Sequence, residues 1–199
     1  MKIIPSIMAQ NQQELGRLLK KYHSFKELHL DVVDGKFAAN HSLDFKFKLS
    51  KKKYSAHLMI KNPENWIKKY GHLIGLCIVQ ASEIKDKKKY IFWMKEQRKK
   101  VGLALKPNEP VGLIKPYLQE IDYVLILTVE PGFYGSKYLK KPLAKIKEIK
   151  KVNPQVKIIV DGGMNPSTIK DVQGADIVVV GSYLAKAGDA RKAMREMGG

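Results

Sequence analysis

The feature that most limits the fold of this chain is an alternation, repeated along its whole length, between short apolar runs and amphipathic segments. The runs are four to seven residues long and nearly continuously apolar, which is typical of strands buried on both faces. Eight such runs are predicted as strands, at residues 2–8, 29–35 (ending in a turn at Gly35), 54–60, 76–81, 101–105, 123–129, 156–160 and 177–180.

Helical patterns lie between these runs, with Pro63 suited to the first turn of one helix and Asp86 a candidate N-cap of another. Helices are predicted at 11–22, 44–50, from 63 onward, 86–100, 110–118, 137–152, 167–172 and 189–197. Strands that alternate with helices imply βα units and a parallel sheet. Eight units predict a compact, single-domain (β/α)8 TIM barrel over residues 1–199 with short loops. A doubly wound open sheet is the alternative.

Composition restricts where the protein works. Cys77 is the only cysteine, so an intrachain disulfide and a cysteine-based zinc cluster are both excluded. No apolar run is long enough to cross a bilayer, and the apolar stretch at the N-terminus is too short for a signal peptide. We therefore expect a cytoplasmic protein without a membrane partner.

The formal net charge of +18 favours anionic partners, namely phosphorylated metabolites, nucleic acid or acidic membrane surfaces. The excess is mostly lysine, spread over many segments, whereas arginine, the better residue for bidentate phosphate or base recognition, is sparse. We expect most lysine runs to be solvated helix faces and turns. Attraction of a small anion is the second interpretation, and nucleic-acid binding is the least favoured.

Two histidines and two aspartates fall at strand positions that suggest chemistry. His29 and Asp31 are two residues apart on a strand, so their side chains point to the same face. His57 lies on the third predicted strand, and Asp161 ends the seventh. Because a (β/α)8 barrel carries its active site at the C-terminal ends of its strands, these four residues are predicted to converge on a divalent metal such as zinc, iron or manganese. Asp34 is expected to support this group, because it follows Asp31 so closely, and a turn cap is its alternative role.

Glycine turns follow the last three strands. They are Gly132 to Gly135 after the sixth, Gly162-Gly163 after the seventh and Gly181-Ser182 after the eighth. Backbone N–H groups in such turns can bind phosphate at this end of the barrel. Together with the positive charge, the turns favour a phosphorylated substrate.

With these residues placed, nearly the whole chain resembles ribulose-phosphate 3-epimerase. The resemblance is carried by six motifs in the family's order: Pro5-Ser6-Ile7-Met8, His29 to Phe37 with Asn40, His57-Leu58-Met59, Thr128 to Phe133, Val160 to Gly163, and Gly181-Ser182. It implies a metal-dependent isomerase of the pentose phosphate pathway that interconverts D-ribulose 5-phosphate and D-xylulose 5-phosphate. The proton at C3 would move between two carboxylates through an enediolate.

The resemblance also implies roles for individual residues. Asp31 and Asp161 would be the catalytic acid and base. One divalent metal ion (zinc, iron, manganese or cobalt) would be held by His29, Asp31, His57 and Asp161. The substrate would contact Ser6, His57, Met59, Gly132, Phe133, Tyr134, Gly135, Gly162, Gly163, Gly181 and Ser182. Similar enzymes are often homo-oligomers.

The sequence departs from the family pattern at several positions. Val33 and Leu127 stand where the family usually has methionine. Four further departures bear on substrate identity, at Gln80, Ser82, Tyr134 and Ser136. They leave open a 3-epimerase of a six-carbon ketose phosphate such as allulose 6-phosphate. A non-catalytic basic barrel that binds nucleic acid is the alternative from another class, and intact Asp31 and Asp161 argue against it. The Asp-x-Lys-x-x-Asp cluster of orotidine-phosphate decarboxylase-like enzymes is absent.

Overall fold

A computed structural model describes residues 1–132 and 135–198, and its central element is a ring of parallel strands. The eight ring strands are β1 (Lys2–Ile7), β2 (Glu27–Asp34), β3 (Lys53–Met59), β4 (Leu76–Gln80), β5 (Lys100–Leu105), β6 (Tyr123–Leu127), β7 (Lys157–Asp161) and β8 (Ile177–Val180). The α-helices in the described residues are α1 (Gln12–Lys21), α2 (Pro63–Tyr70), α3 (Lys87–Glu96), α4 (Ala144–Val152), α5 (Ser182–Lys186) and α6 (Ala190–Glu196).

The sheet closes on itself. Each ring strand pairs in parallel with the next, β8 pairs with β1, and β1 pairs with β2, where Ser6 lies opposite His29. A short strand, His41–Ser42, pairs antiparallel with the end of β2. Closure confirms the (β/α)8 barrel and rules out the open doubly wound sheet, because an open sheet leaves two edge strands without a partner.

Alternation along the strands divides the core into two layers. Ile78, Leu125 and Ile159 belong to a small buried cluster inside the barrel. The larger cluster joins the outer strand faces to the helices, through residues such as Val79 and Ile91. No helix among the described residues has the length and apolar character needed to cross a membrane.

Local sequence signals set several helix starts correctly. Asp86 caps α3 by accepting a hydrogen bond from the Lys89 N–H, as predicted. Pro63 occupies the first turn of α2, where its missing N–H costs no hydrogen bond. Asn11 caps α1 by accepting from the Glu14 N–H.

The helix predicted at 44–50 is wrong, because this segment has no regular secondary structure. Phe45, Phe47 and Leu49 alternate with lysines and pack inward, which is a period of two and favours an extended chain. The Phe47 ring stacks on Tyr70 of α2, with ring centroids 4.5 Å apart. These contacts decide the conformation of the segment.

Three other predicted helices are shorter or tighter than expected. Residues 137–140 are not helical, because the Leu139 N–H donates to the Thr128 carbonyl; a 3-10 turn containing Pro142 then leads into α4. In the segment 110–118 the chain forms two 3-10 turns, Val111–Leu113 and Lys115–Tyr117, and the second contains Pro116, a residue that opposes an α-helix interior. Residues 168–171 form a 3-10 helix, and α5 was not predicted.

Candidate active site

Four titratable side chains meet inside the barrel near the C-terminal ends of the strands. His29 and Asp31 come from β2, His57 from β3 and Asp161 from the end of β7. Each offers one ligand atom, and these atoms all lie within 4.8 Å of one another. Strand pairing explains part of the convergence, because Asp31 lies directly opposite His57 in the β2–β3 register.

The group has the chemistry of a metal site. All four residues are buried, with exposures of 8% or less. Among the described residues, three buried atoms of this group have no hydrogen-bond partner: His29 Nε2, Asp31 Oδ1 and His57 Nδ1. Such unsatisfied atoms are costly unless something binds them. Two imidazole nitrogens with two carboxylate oxygens suit divalent zinc, iron, manganese or cobalt, so the residues can hold such an ion.

Burial changes the protonation of the group. It raises the pKa of Asp31 to about 8, with the neighbouring Asp161 carboxylate adding to the rise, and it raises the pKa of Asp161 to about 7. It lowers the pKa of His29 to about 3 and that of His57 to about 4. The environment therefore favours neutral imidazoles, which are the form that binds a metal, and makes both carboxyl groups stronger bases than usual.

Three polar neighbours hold this group in place. The Ser6 hydroxyl hydrogen-bonds to Asp31. Ser55 Oγ lies 2.8 Å from His29 Nδ1, and Gln80 Nε2 lies 2.7 Å from His57 Nε2. The ring nitrogens not taken by these contacts lie near carboxylates, at 3.6 Å from His29 Nε2 to Asp31 Oδ1 and 3.8 Å from His57 Nδ1 to Asp161 Oδ2.

A pocket opens above the two carboxylates. Asp31 and Asp161 line it, whereas the two histidines lie behind them. None of its described lining residues is a lysine or arginine, so the net charge of the chain is not concentrated there. The other lining residues are Ser6, Met8, Met59, Leu127, Val129, Pro131, Gly132, Gly135, Ser136, Gly162, Gly163, Met164, Gly181 and Ser182.

The turn after β7 needs its glycines. Gly162 has φ +109°, and a Cβ added there would lie 2.6 Å from a Val129 methyl group. Gly163 has φ +68°, and an added Cβ would lie 2.9 Å from Tyr138 Cβ. The Thr128 hydroxyl fixes the turn by donating to the carbonyls of Asp161 and Gly162, at 2.9 and 2.6 Å. Backbone of the β7 turn is thus brought close to the pocket without side chains in between.

The structure brings most of the predicted site residues together. Ser6, Met59, Gly132, Gly135, Gly162, Gly163, Gly181 and Ser182 all line the pocket with the two aspartates. His57 does not line it and is fully buried. Phe133 and Tyr134 lie outside the described residues. Met164, beside the β7 turn, was not anticipated, and only its place directly after Gly163 could have indicated it.

Asp34 does not support the metal group. Its carboxylate accepts hydrogen bonds from the backbone N–H groups of Lys36, Phe37 and Lys61. These bonds lower its pKa, although burial opposes them. Asp34 therefore closes the turn after β2 and ties it to the turn after β3, which is the alternative role of a turn cap.

Comparison with curated proteins gives consistent relatives. The chain is 32% identical to ribulose-phosphate 3-epimerase of Bacillus subtilis, covering 100% of this chain and 98% of the relative. It is 31% identical to the enzyme of the same name from Schizosaccharomyces pombe, covering 94% and 87%.

Solved structures with similar folds are more distant in sequence. They include 3-hexulose-6-phosphate synthase from Salmonella typhimurium, with a TM-score of 0.67, 16% identity and coverage of 99% and 96%. Another is orotidine 5'-monophosphate decarboxylase from Sulfolobus solfataricus, with a TM-score of 0.64, 13% identity and coverage of 98% and 95%. At such identities the likeness supports the barrel fold alone. The model of the ribulose-phosphate 3 epimerase family matches residues 2–185, and the chain belongs to that family.

Proposed function

We propose that this protein is a metal-dependent isomerase that interconverts D-ribulose 5-phosphate and D-xylulose 5-phosphate by inverting C3. The observation that carries the proposal is the pair of buried aspartates, Asp31 and Asp161, which line one pocket from strands on separate parts of the barrel wall. Family membership and the names of the curated relatives support the same reaction.

Inversion next to a ketone needs two proton-transferring groups. One carboxylate removes the C3 proton from one face of the carbon, and the other carboxyl group returns a proton to the opposite face. Asp31 and Asp161 exchange these roles when the reaction reverses. Their raised pKa values, about 8 and about 7, suit a base that acts near neutral pH.

His29, Asp31, His57 and Asp161 would hold the divalent metal. When bound, such an ion stabilises the negative charge that develops on the substrate oxygens as the proton leaves C3. The chain supplies neutral imidazoles, the Ser6 hydrogen bond that orients Asp31, and a buried setting that limits water. The identity of the metal is best determined by elemental analysis of the purified protein.

The other end of the pocket would take the phosphate. Gly162, Gly163, Gly181 and Ser182 line that end, and no described lining residue is cationic. Backbone N–H groups would therefore provide most of the phosphate contacts. We further propose that the protein acts in the cytoplasm and that Phe133 and Tyr134 contribute to substrate binding.

The reaction is tested by proton NMR in deuterium oxide with the metal-loaded enzyme. We expect deuterium at C3 of ribulose 5-phosphate together with formation of xylulose 5-phosphate. Asp31→Asn and Asp161→Asn should each slow product formation by about 10²- to 10⁴-fold. Asp86→Asn is the matched control, because asparagine keeps the N-cap of α3 at a site remote from the pocket.

Substrate identity is tested in the same experiment by offering allulose 6-phosphate beside ribulose 5-phosphate. A higher kcat/KM for the pentulose supports the proposal. Exchange on the hexulose alone would replace the substrate but keep the two-carboxylate chemistry. A full rate in either aspartate variant would contradict the proposed mechanism.

A further inference from the structure

Two histidines belong to the four-residue cluster formed by His29, Asp31, His57 and Asp161. In each, a side chain from the next strand of the barrel contacts the ring nitrogen that points away from the carboxylates. Ser55 on β3 contacts His29 Nδ1, and Gln80 on β4 contacts His57 Nε2. The nitrogens left for the cluster are His29 Nε2 and His57 Nδ1. A neutral imidazole carries one hydrogen, so the outer partner decides whether the inner nitrogen presents a lone pair.

Ser55 and Gln80 differ in which tautomer of the contacted histidine they can accommodate. A serine hydroxyl can rotate its hydrogen and serve either tautomer of His29. A carboxamide has an oxygen that only accepts and a nitrogen that only donates. Gln80 is fully buried, its Nε2 faces His57 Nε2 at 2.7 Å, and its Oε1 has no hydrogen-bond partner. Its orientation therefore determines the His57 tautomer.

The orientation in this structure has a definite consequence. When the Gln80 amide nitrogen donates to His57 Nε2, the hydrogen of a neutral ring must lie on Nδ1, the nitrogen 3.8 Å from Asp161. That tautomer has no lone pair to offer a cation at the cluster. A half-turn of the amide would place Oε1 against an Nε2–H group and free the Nδ1 lone pair.

We propose that Gln80 is a positioning residue that selects the tautomer of His57 and so controls metal binding. With its oxygen toward the ring it prepares Nδ1 as a ligand, and with its nitrogen toward the ring it opposes metal binding. The two orientations compete, so metal affinity depends on their balance. The proposal rests on the proposed function only in requiring a metal at the cluster.

Metal titration of variants gives the first test, with Co²⁺ and Zn²⁺ alone as probes. Gln80→Met, of similar size but with only a weakly accepting thioether and no donor, should bind about 10- to 100-fold more weakly. Gln80→Glu, whose carboxylate only accepts, should bind at least as tightly as the natural protein. Gln119→Met alters an exposed glutamine whose amide contacts the Val152 carbonyl, and it should leave affinity unchanged. Unchanged affinity in Gln80→Met would overturn the proposal.

Imidazole ¹⁵N NMR tests the tautomer directly, and its decisive measurement uses the natural protein. In the chelator-treated natural protein, His57 should carry its hydrogen on Nδ1, and after Zn²⁺ loading it should carry it on Nε2. Gln80→Glu should show the Nε2–H form before and after loading. An Nε2–H form in the chelator-treated natural protein would refute the proposal. Neither measurement uses a sugar phosphate, so inactivity as an epimerase would leave this test intact.

Discussion

The two ends of the barrel are built on the same eight strands but carry different functional groups. At the C-terminal ends, two aspartates, glycine turns and small polar groups surround the pocket. At the N-terminal ends, a cavity of about 470 Å³ is lined by aliphatic side chains such as Ile4, Ile159 and Val179, together with lysines, tyrosines and other polar residues.

The rim of the N-terminal end is polar and in contact with solvent. It carries an ion pair between Lys2 and Glu27, 2.5 Å apart, whose side chains are 51% and 29% exposed. The His29–Ser55 contact lies between the two ends, since both residues also line the cavity at the N-terminal end. The two buried aspartates therefore face the C-terminal end, where they cost stability and can perform chemistry, while the N-terminal end serves stability.

The largest expected effect is a loss of activity without a loss of stability when an aspartate at the C-terminal end is replaced. Asp161→Asn should lower kcat by about 10²- to 10⁴-fold, because it removes one of the two proton-transferring groups. The thermal midpoint of the chelator-treated variant at pH 8 should equal or exceed that of the natural protein, because a buried carboxylate with a raised pKa no longer has to ionise. Steady-state kinetics and circular dichroism measure both. A large fall in that midpoint would contradict the contrast between the two ends.

The second prediction compares one glycine at each end of the barrel, both replaced by alanine. Gly162→Ala should cost about 1–3 kcal/mol and reduce activity, because its φ is +109° and its added methyl group meets Val129. Gly75→Ala, at the N-terminal end, places its methyl group in ordinary contact with the Tyr54 carbonyl at 3.5 Å. We expect it to change stability by no more than about 0.5 kcal/mol. Urea unfolding compares the two, and equal losses would show that the β7 turn is not specially constrained.

The pH dependence of stability should also come from the C-terminal end. Asp31 and Asp161 have folded pKa values raised to about 8 and about 7, so the folded state binds more protons than the unfolded state as pH rises toward these values, and stability falls. His29 and His57, lowered to about 3 and about 4, act in the opposite sense, but only below about pH 6.5.

The thermal midpoint of the chelator-treated protein should therefore decrease from pH 6.5 to 8.5. The double replacement of Asp31 and Asp161 by asparagine should flatten this decrease. Saturating metal should do the same, because the bound ion favours the ionised carboxylates. Differential scanning calorimetry checks all three conditions, and an equal slope in the double variant would place the titrating groups elsewhere.

The smallest effect belongs to the N-terminal rim. Glu27→Gln breaks the ion pair with Lys2 and the longer contact to Lys53. Because these partners are largely exposed, the loss should be at most about 1 kcal/mol, with kcat unchanged. Raising the salt concentration should remove the difference between variant and natural protein. A changed kcat would show that the two ends are coupled.

Much of the fold follows from local patterns. The eight apolar runs became the eight barrel strands, with ends shifted by a few residues, because continuous apolar character reflects burial on both faces. Helix predictions were less accurate where tertiary contacts compete with local helix formation. Phe47, stacked on Tyr70, holds 44–50 in a non-helical conformation, and the Leu139–Thr128 bond delays the start of α4. The alternating Phe45, Phe47 and Leu49 did carry a signal against a helix.

For the candidate site, the sequence by itself determined which chemical groups are available. Strand alternation placed His29 and Asp31 on one face, because that rule depends only on neighbours along the chain. The predicted barrel, whose strands carry the site at their C-terminal ends, placed His57 and Asp161 near them. Tertiary structure alone decided that Gln80 and Ser55 hold the outer ring nitrogens and that Asp34 closes a turn instead of supporting the metal group. Those outcomes depend on which strand lies alongside and how each side chain rotates there, and neither is encoded in local spacing.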